Sequence, residues 1–263
     1  MNQFNTKDAW KKELQACYSQ QAEHFFHTRK KFWPEVDYCK HYLQEYLKKN
    51  NKKTYSLVDL WAGTGRLAHH IQTVDERINY VWVDNAQWMI DVASKEFPRN
   101  KFVCADMYGY LFWSQQESID IVVAFASIQH IKWKKEHQAL LYAIYKALKW
   151  WWQAILVNWS FSQRFVQQYR DACIAAVWRS RFKQWWSRND IMISRKDKNF
   201  SHTKKQYQRM YHIFTLTELV HLVQSTWFVI KKAWYVQQDW TLIDGSCAWF
   251  KSRNTFLVLE KSI

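Results

Sequence analysis

Between Tyr55 and Phe161 the chain alternates short apolar segments with amphipathic ones, and this alternation restricts its fold more than any other feature. "YSLVDL", "NYVWVD", "KFVCAD", "SIDIVVAFASI" and "QAILVNWSF" read as strands, with "RLAHHIQTV", "AQWMIDVASKEF" and "KEHQALLYAIYKAL" as helices among them. Strands separated by helices of about a dozen residues form βαβ units, which need a parallel sheet covered on both faces. The pattern predicts an α/β fold, a doubly wound Rossmann-like sheet. "FVIKKAWYV" and "NTFLVLEK" are expected to close it as an antiparallel C-terminal edge.

The rest of the chain attaches to this core. Residues 1–50 read as an N-terminal helical cap, broken at "WPEV" where Trp33 precedes Pro34. Residues 51–161 form the core, and 162–212 an insertion rich in Arg, Lys, Trp and Tyr. Residues 213–263 supply a helix and the strand pair. In "TLTELVHLVQST" a threonine three residues before Glu218 is a capping-box start for that helix.

Charge and cysteine usage narrow the functional classes. Thirty-eight Lys and Arg against 23 Asp and Glu leave a net charge of +15, which favours a polyanionic partner, nucleic acid first, through phosphate contacts and counterion release. Five scattered cysteines without a CxxC pair encode neither a disulfide framework nor a zinc cluster, so reduced thiols, a cytoplasmic location and no metal are expected. Apolar runs such as "IVVAFASI" fall far short of the roughly 20 residues that cross a bilayer. No membrane association is expected.

The stretch "VDLWAGTGRL" runs from a strand through a glycine-bearing turn into a helix. In an open α/β sheet, ligands lie beyond the carboxyl ends of the strands, so the backbone of Trp61, Ala62, Gly63 and Gly65 would face one. Asp84, followed by Asn85, ends the second strand about 20 residues on, where a carboxylate can accept both hydroxyls of a ribose. Asp106, followed by Met107, ends the third, where an acid could accept from an adenine amino group. Asp59 ends the first, and Ala126 follows the fourth.

The ordered acids Asp59, Asp84 and Asp106 with "AGTG" resemble the class I S-adenosylmethionine-dependent methyltransferases, whose first motif commonly reads D-x-G-x-G-x-G. The resemblance implies a methyltransferase sheet and S-adenosylmethionine as cofactor, with Asp59, Trp61, Ala62, Gly63, Gly65, Asp84, Asn85, Asp106, Met107 and Ala126 around it. A nicotinamide dehydrogenase fits less well, because the loop does not match G-x-G-x-x-G.

Glycine and tryptophan contents depart from the usual in opposite directions. A chain this long ordinarily carries roughly 18 glycines, and this one has 4, beside 18 tryptophans. By the resemblance, Trp61, Trp82, Trp151, Trp152 and Trp227 stand where the family places glycine. Bulky residues resist the positive φ that glycine accepts. The expectation is that these five codons are UGA, read as tryptophan where the fold asks for glycine, and that Trp33, Trp159, Trp178 and Trp234 are UGG. The alternative is a genuinely tryptophan-rich protein whose cofactor site has decayed.

Further strings carry a second resemblance. "AEHFFHTRKKFWPEV", "SIQHI", "NDIMISRKD" and "QRMYHIFTLTEL" are similar, in order, to segments of the tRNA wobble-uridine methyltransferases, which esterify a carboxymethyl group on the uridine ring. Gln129, Ser194, Arg195 and Met210 depart from that family's pattern. The resemblance implies tRNA as partner, Arg29, Arg209, Tyr211 and His212 as substrate-binding residues, and His130 near the transferred methyl. Some relatives also use a small activating subunit. A carboxylate is already an anionic nucleophile at neutral pH, so no general base is expected. Residues 162–212 offer a cationic surface with interleaved aromatics suited to an anticodon loop. A small-molecule methyltransferase and a non-catalytic RNA-binding relative are the alternatives.

Overall fold

The protein is described by a computed structural model over residues 12, 15, 33–65, 67–71, 74–132, 134–182, 187, 189–196, 206–237, 241–243 and 252–262. Helix α1 (Pro34–Asn50) starts on Pro34, whose missing N–H has no partner to lose at that position, with Glu35 and Asp37 in its first turn and Lys48 and Lys49 in its last. It buries Val36, Cys39, Leu43 and Leu47, one helical stripe. Asn51 ends it in the left-handed conformation, its N–H donating to the Leu47 carbonyl.

The sheet is built from β1 (Tyr55–Leu60), β2 (Ile78–Asp84), β3 (Lys101–Cys104), β4 (Ile119–Phe125), β5 (Leu148–Trp159), β8 (Phe228–Gln237), β9 (Leu242–Ile243) and β10 (Ser252–Lys261). Their order is β3-β2-β1-β4-β5-β10-β8-β9. Strand β1 pairs in parallel with β2 and β4, β2 with β3, and the edge pair β8–β9 is antiparallel. Ile121, Val122, Val123 and Ala124 of β4 are all fully buried, as a central parallel strand covered on both faces must be. The helices α2 (Ala68–Ile71), α3 (Gln87–Glu96), α4 (Met107–Trp113) and α5 (Lys134–Ala147) lie between the strands in sequence. The expected α/β Rossmann-like methyltransferase sheet with an antiparallel edge is the fold observed.

Packing divides the chain into two units. One comprises Met1–Phe125, Tyr142–Ile155 and Leu259–Ile263, the other Ala126–Leu141 and Leu156–Val258. In the second, helices α6 (Gln163–Gln168) and α7 (Arg170–Phe182) cover an antiparallel hairpin, β6 (Asp190–Lys196) with β7 (Gln206–His212). Phe165, Cys173 and Ala176 pack there with Ile191, Ile193, Tyr211 and Ile213. Helix α8 (Leu216–Gln224) begins as expected, the Thr215 hydroxyl accepting from the Glu218 N–H.

Three elements differ from the sequence expectation. The segment 162–212 contains a packed helix pair and hairpin rather than only a charged surface. Helix α4 went unanticipated because "MYGYLFW" has too few residues to show a period. Strand β5 begins at Leu148, so "KWWW" extends the strand ahead of the expected "QAILVNWSF". The first helical stretch before Trp33 lies largely outside the described residues, as do Cys17 and Cys247.

The strand β5 tryptophans separate two energetic cases. Trp151 sits at φ +67° and is 56% exposed, so its indole gains little while its backbone is strained. Trp152 is buried, its ring edge-on to Tyr46 and Tyr55 and under the Lys52 ammonium, 4.5 Å from the ring centre. We expect Trp151→Gly to raise stability by about 1 kcal/mol, the order of the left-handed penalty. Trp152→Gly should cost about 3 kcal/mol or more. Urea unfolding of both variants checks this; equal effects would refute it.

Candidate active site

The carboxyl ends of β1, β2 and β3 are tied together through Asp84. One carboxylate oxygen, Oδ2, accepts from the Gly63 N–H at 2.9 Å, and Oδ1 accepts from the Ala86 N–H at 2.9 Å. Its main-chain carbonyl accepts from the Ala105 N–H, and the Ala62 N–H donates to the Val83 carbonyl. Asp106 caps α4, its Oδ1 accepting from the Tyr108 N–H at 3.0 Å. The loop, the turn after β2 and the turn after β3 thus converge on one residue.

The two other acids differ in setting. Asp106 is partly exposed, whereas Asp59 is 2% exposed and its Oδ2 accepts from the Tyr80 hydroxyl at 2.6 Å. Asp59 is thus enclosed, as is Asp84, and only Asp106 of the three reaches solvent. Burial pushes its carboxyl up to about 7, with the Tyr80 hydrogen bond opposing and the Asp84 charge assisting. Burial also raises Asp84, to about 6, against three stabilising backbone hydrogen bonds. Met107 is fully buried, Asn85 and Ala62 are partly exposed, and the Asn85 carbonyl accepts from the Gln15 side chain.

The loop keeps a glycine-like backbone. Gly63 lies at φ +58° with no atom within 4 Å of where a Cβ would stand, so space is open beside it. Trp61 has φ +57°, the same left-handed conformation, in spite of its side chain. Gly65, at φ +87°, lies against the Trp82 ring so closely that a Cβ would collide with it. Trp82 is fully buried among Tyr80, Phe97 and Phe102. Two carboxylates beside an open backbone turn, without a lysine for phosphate, fit the hydroxyl and amino groups of an adenosyl group. The indole of Trp61 is the feature that fits it least.

In the second unit, the remaining candidates gather on β7 and at the 3-10 turn Ile128–His130. The Tyr211 ring stacks on Trp159, with centroids 4.8 Å apart and planes at 17°, and lies 4.7 Å from the His130 ring. Arg209 is buried two residues before Tyr211, on the same face of β7. The Gln129 side chain accepts from the Trp159 N–H, which gives a structural use to the residue that departs from the family pattern. Ala126, partly exposed, has φ +50°. Arg29 lies outside the described residues.

His212 is placed differently from the substrate contact that the resemblance implied. It is 7% exposed, with Nδ1 2.6 Å from Asp190 Oδ1 and Nε2 2.9 Å from Glu218 Oε1. Asn189 donates to the other Glu218 oxygen, and the Ser187 N–H to the other Asp190 oxygen. Burial opposes its charge, but the two carboxylates overcome that and lift the imidazole to about 9. Both ring nitrogens are engaged, so His212 pins β6, β7 and α8 to one another.

Sequence reasoning missed Tyr80 as the partner of Asp59, and it missed Ser127 and Asn158, which are buried polar residues at the ends of β4 and β5. A lone asparagine inside the apolar run "AILVNW" was the available signal.

Residues 57–150 match a family described as a methyltransferase domain. No curated protein sequence matches the chain. A SAM-dependent methyltransferase from Methanosarcina mazei shares 15% identity at a TM-score of 0.63, over 83% of this chain and 97% of that one. One from Clostridium acetobutylicum shares 12% at 0.63, over 94% and 100%. The Burkholderia thailandensis 1,6-didemethyltoxoflavin-N1-methyltransferase, with its substrate and S-adenosylhomocysteine bound, shares 11% at 0.61, over 100% and 93%. The chain thus has the fold of the class I S-adenosylmethionine-dependent methyltransferases, with a match to a methyltransferase domain over residues 57–150. Identities this low establish the fold and leave the acceptor open. Among the described residues, no group of three His, Cys, Asp or Glu side chains could hold a metal ion, and no helix is long and apolar enough to cross a membrane.

Two predictions follow from this geometry. Trp61→Gly should remove both the backbone strain and the indole, tightening S-adenosylmethionine binding at least tenfold, about 1.4 kcal/mol; equilibrium dialysis against the unaltered chain checks it, and equal affinity would count against a steric role for Trp61. For His212, a folded pKa raised above the ordinary 6.5 gives stability that is complete below 6.5 and lost as pH rises through about 9. His212→Gln should therefore cost about 3 kcal/mol at pH 6, with the difference shrinking above pH 9. A constant difference from pH 6 to 10 would show that His212 is not held charged.

Proposed function

We propose that this chain methylates the carboxylate of a carboxyl-bearing modified uridine at the wobble position of tRNA. The observation that carries the acceptor class is the outer face of α7. Ile174, Val177 and Trp178 are exposed there, and the Arg181 guanidinium lies 5.6 Å over the Trp178 ring. Exposed aromatics interleaved with cations suit unstacked bases and dense phosphate. The net charge of +15 adds the long-range attraction. The ordered likeness of "SIQHI" and "QRMYHIFTLTEL" to the wobble-uridine enzymes points the same way.

Bound S-adenosylmethionine supplies an electrophilic methyl on a sulfonium. In this reading Asp84 accepts the ribose hydroxyls, Asp106 the adenine amino group, and the backbone of residues 61–65 lies along the rest, with Asn85 and Met107 flanking. The acceptor carboxylate needs no base, so the protein's task is alignment, which supplies much of the rate. Arg209, buried on the Tyr211 face of β7, pairs with the carboxylate or a phosphate in this reading. Arg29 takes the same role in the family resemblance. His130 shapes the acceptor side without transferring a proton.

A small-molecule acceptor is the second reading, favoured by the Burkholderia neighbour and its named heterocyclic substrate. Labelled methyl transfer into total tRNA, followed by nucleoside analysis, distinguishes them: label in a uridine ester is expected, and label in a metabolite alone favours the second. Arg179→Glu with Arg181→Glu should weaken tRNA binding at least tenfold in low salt. It should also lower the slope of log affinity against log salt by up to ~2. Unchanged affinity and slope would remove tRNA as the partner.

A further inference from the structure

Three costly features meet where β4 and β5 end, all within the second unit. Ala126 has a φ of +50°, which non-glycine residues rarely adopt and which concentrates at ligand sites. Its N–H donates to the Val157 carbonyl at 2.7 Å, which fixes Ser127 and Asn158 as close neighbours across the two strands. The Ser127 side chain sits at the start of a 3-10 turn without capping it, and its Oγ is buried with no hydrogen-bond partner among the described residues. Asn158 is fully buried, and neither its amide nitrogen nor its oxygen has a partner among them.

Burying an unanswered carboxamide costs stability that a leucine of similar volume would not. Such a group at the carboxyl end of a central strand, where this sheet class binds its ligands, marks a site shaped for a partner rather than for the fold. Trp159, next in the strand, faces the other side of β5, where it stacks on Tyr211 beside His130.

We propose that Asn158, with Ser127, determines acceptor specificity by hydrogen bonding to the planar imide edge of a uracil ring. A carboxamide presents one acceptor and one donor in a single plane, complementary to the ring N3–H and its adjacent carbonyl, while the Ser127 hydroxyl donates to a second oxygen. Asn158 and Ser127 are themselves enclosed, so the ring reaches them only as neighbouring side chains move aside. The inference rests on the uridine reading above and names the residues that would read the base.

The test is Asn158→Leu in the full chain. Its melting temperature should rise by several degrees, because an unanswered polar group is removed. With 5-carboxymethyluridine at millimolar concentration, the unaltered chain should show a ligand-induced rise in melting temperature that the variant lacks. The variant's kcat/KM for tRNA methylation should fall at least 100-fold at unchanged cofactor affinity. A lower melting temperature, or a variant with full nucleoside response and full kcat/KM, overturns the inference and leaves the tRNA reading in place. A nucleoside response that depends on Asn158, with no methyl transfer to tRNA, overturns that reading and sustains the inference.

Discussion

The cofactor end of this molecule depends on one buried carboxylate. Asp84 holds the Gly63 N–H with one oxygen and the Ala86 N–H with the other, and its carbonyl holds the Ala105 N–H. A neutral side chain of the same length could accept only one of the two side-chain bonds with an oxygen. The charged form is therefore the one that shapes the loop, and burial makes it costly, which is why the carboxyl is raised to about 6. The loop conformation and the ionisation of Asp84 are two faces of one equilibrium. A ribose whose hydroxyls donate to Asp84 must share the oxygens that now organise the loop.

The tryptophans show how far a backbone can follow its fold against its side chains. Trp61 and Trp151 adopt φ of +57° and +67°, conformations that cost an L-residue roughly 1–2 kcal/mol each. Trp82 follows another route, since its ring fits only because Gly65 has no Cβ. Trp152 and Trp227 lack a positive φ, and Trp152 has acquired good packing. Glycine-like backbone geometry is thus retained at two of the five positions that the motif comparison singled out, Trp61 and Trp151, while Trp82 is accommodated by Gly65 beside it. Where neither applies, the indole has found a tolerable place, buried for Trp152 and 65% exposed for Trp227.

The sheet was legible because its signal is long and repeated. Five apolar runs with helical periods among them leave little choice of topology, and β1, β2 and β4 fall within two residues of their expected ends or closer, apart from the loop residues after Phe125. Asp84 and Asp106 could be placed for the same reason, since a strand end fixes a residue's location without knowledge of its contacts. Asp59 could not: its rise to an interior partner depends on Tyr80 one strand away, and nothing in "VDL" specifies that pairing. The hairpin β6–β7 was hidden by its composition. "NDIMISRK" and "QYQRMYH" mix charged and apolar residues because one face packs on α7 while much of the rest is polar, so their strand period is weak.

His212 shows why residue type and neighbourhood can mislead about role. It stands beside Tyr211 and three residues after Arg209 in a string that resembles a substrate-binding segment, and alternation along β7 sends it to the opposite face from Arg209 and Tyr211. There Asp190 and Glu218 take both ring nitrogens, and the Phe214 ring lies 4.6 Å away. Buried His212 and Asp190 with the partly exposed Glu218 leave the cluster close to one net negative charge when the imidazole is protonated, an arrangement stable only while all three remain in register. A one-residue slip of β7 would exchange the faces and strand those charges in the apolar packing beneath α7. The cluster therefore enforces the register that presents Arg209 and Tyr211 on their common face, and any substrate role of those two residues rests on a histidine that itself need never touch the substrate.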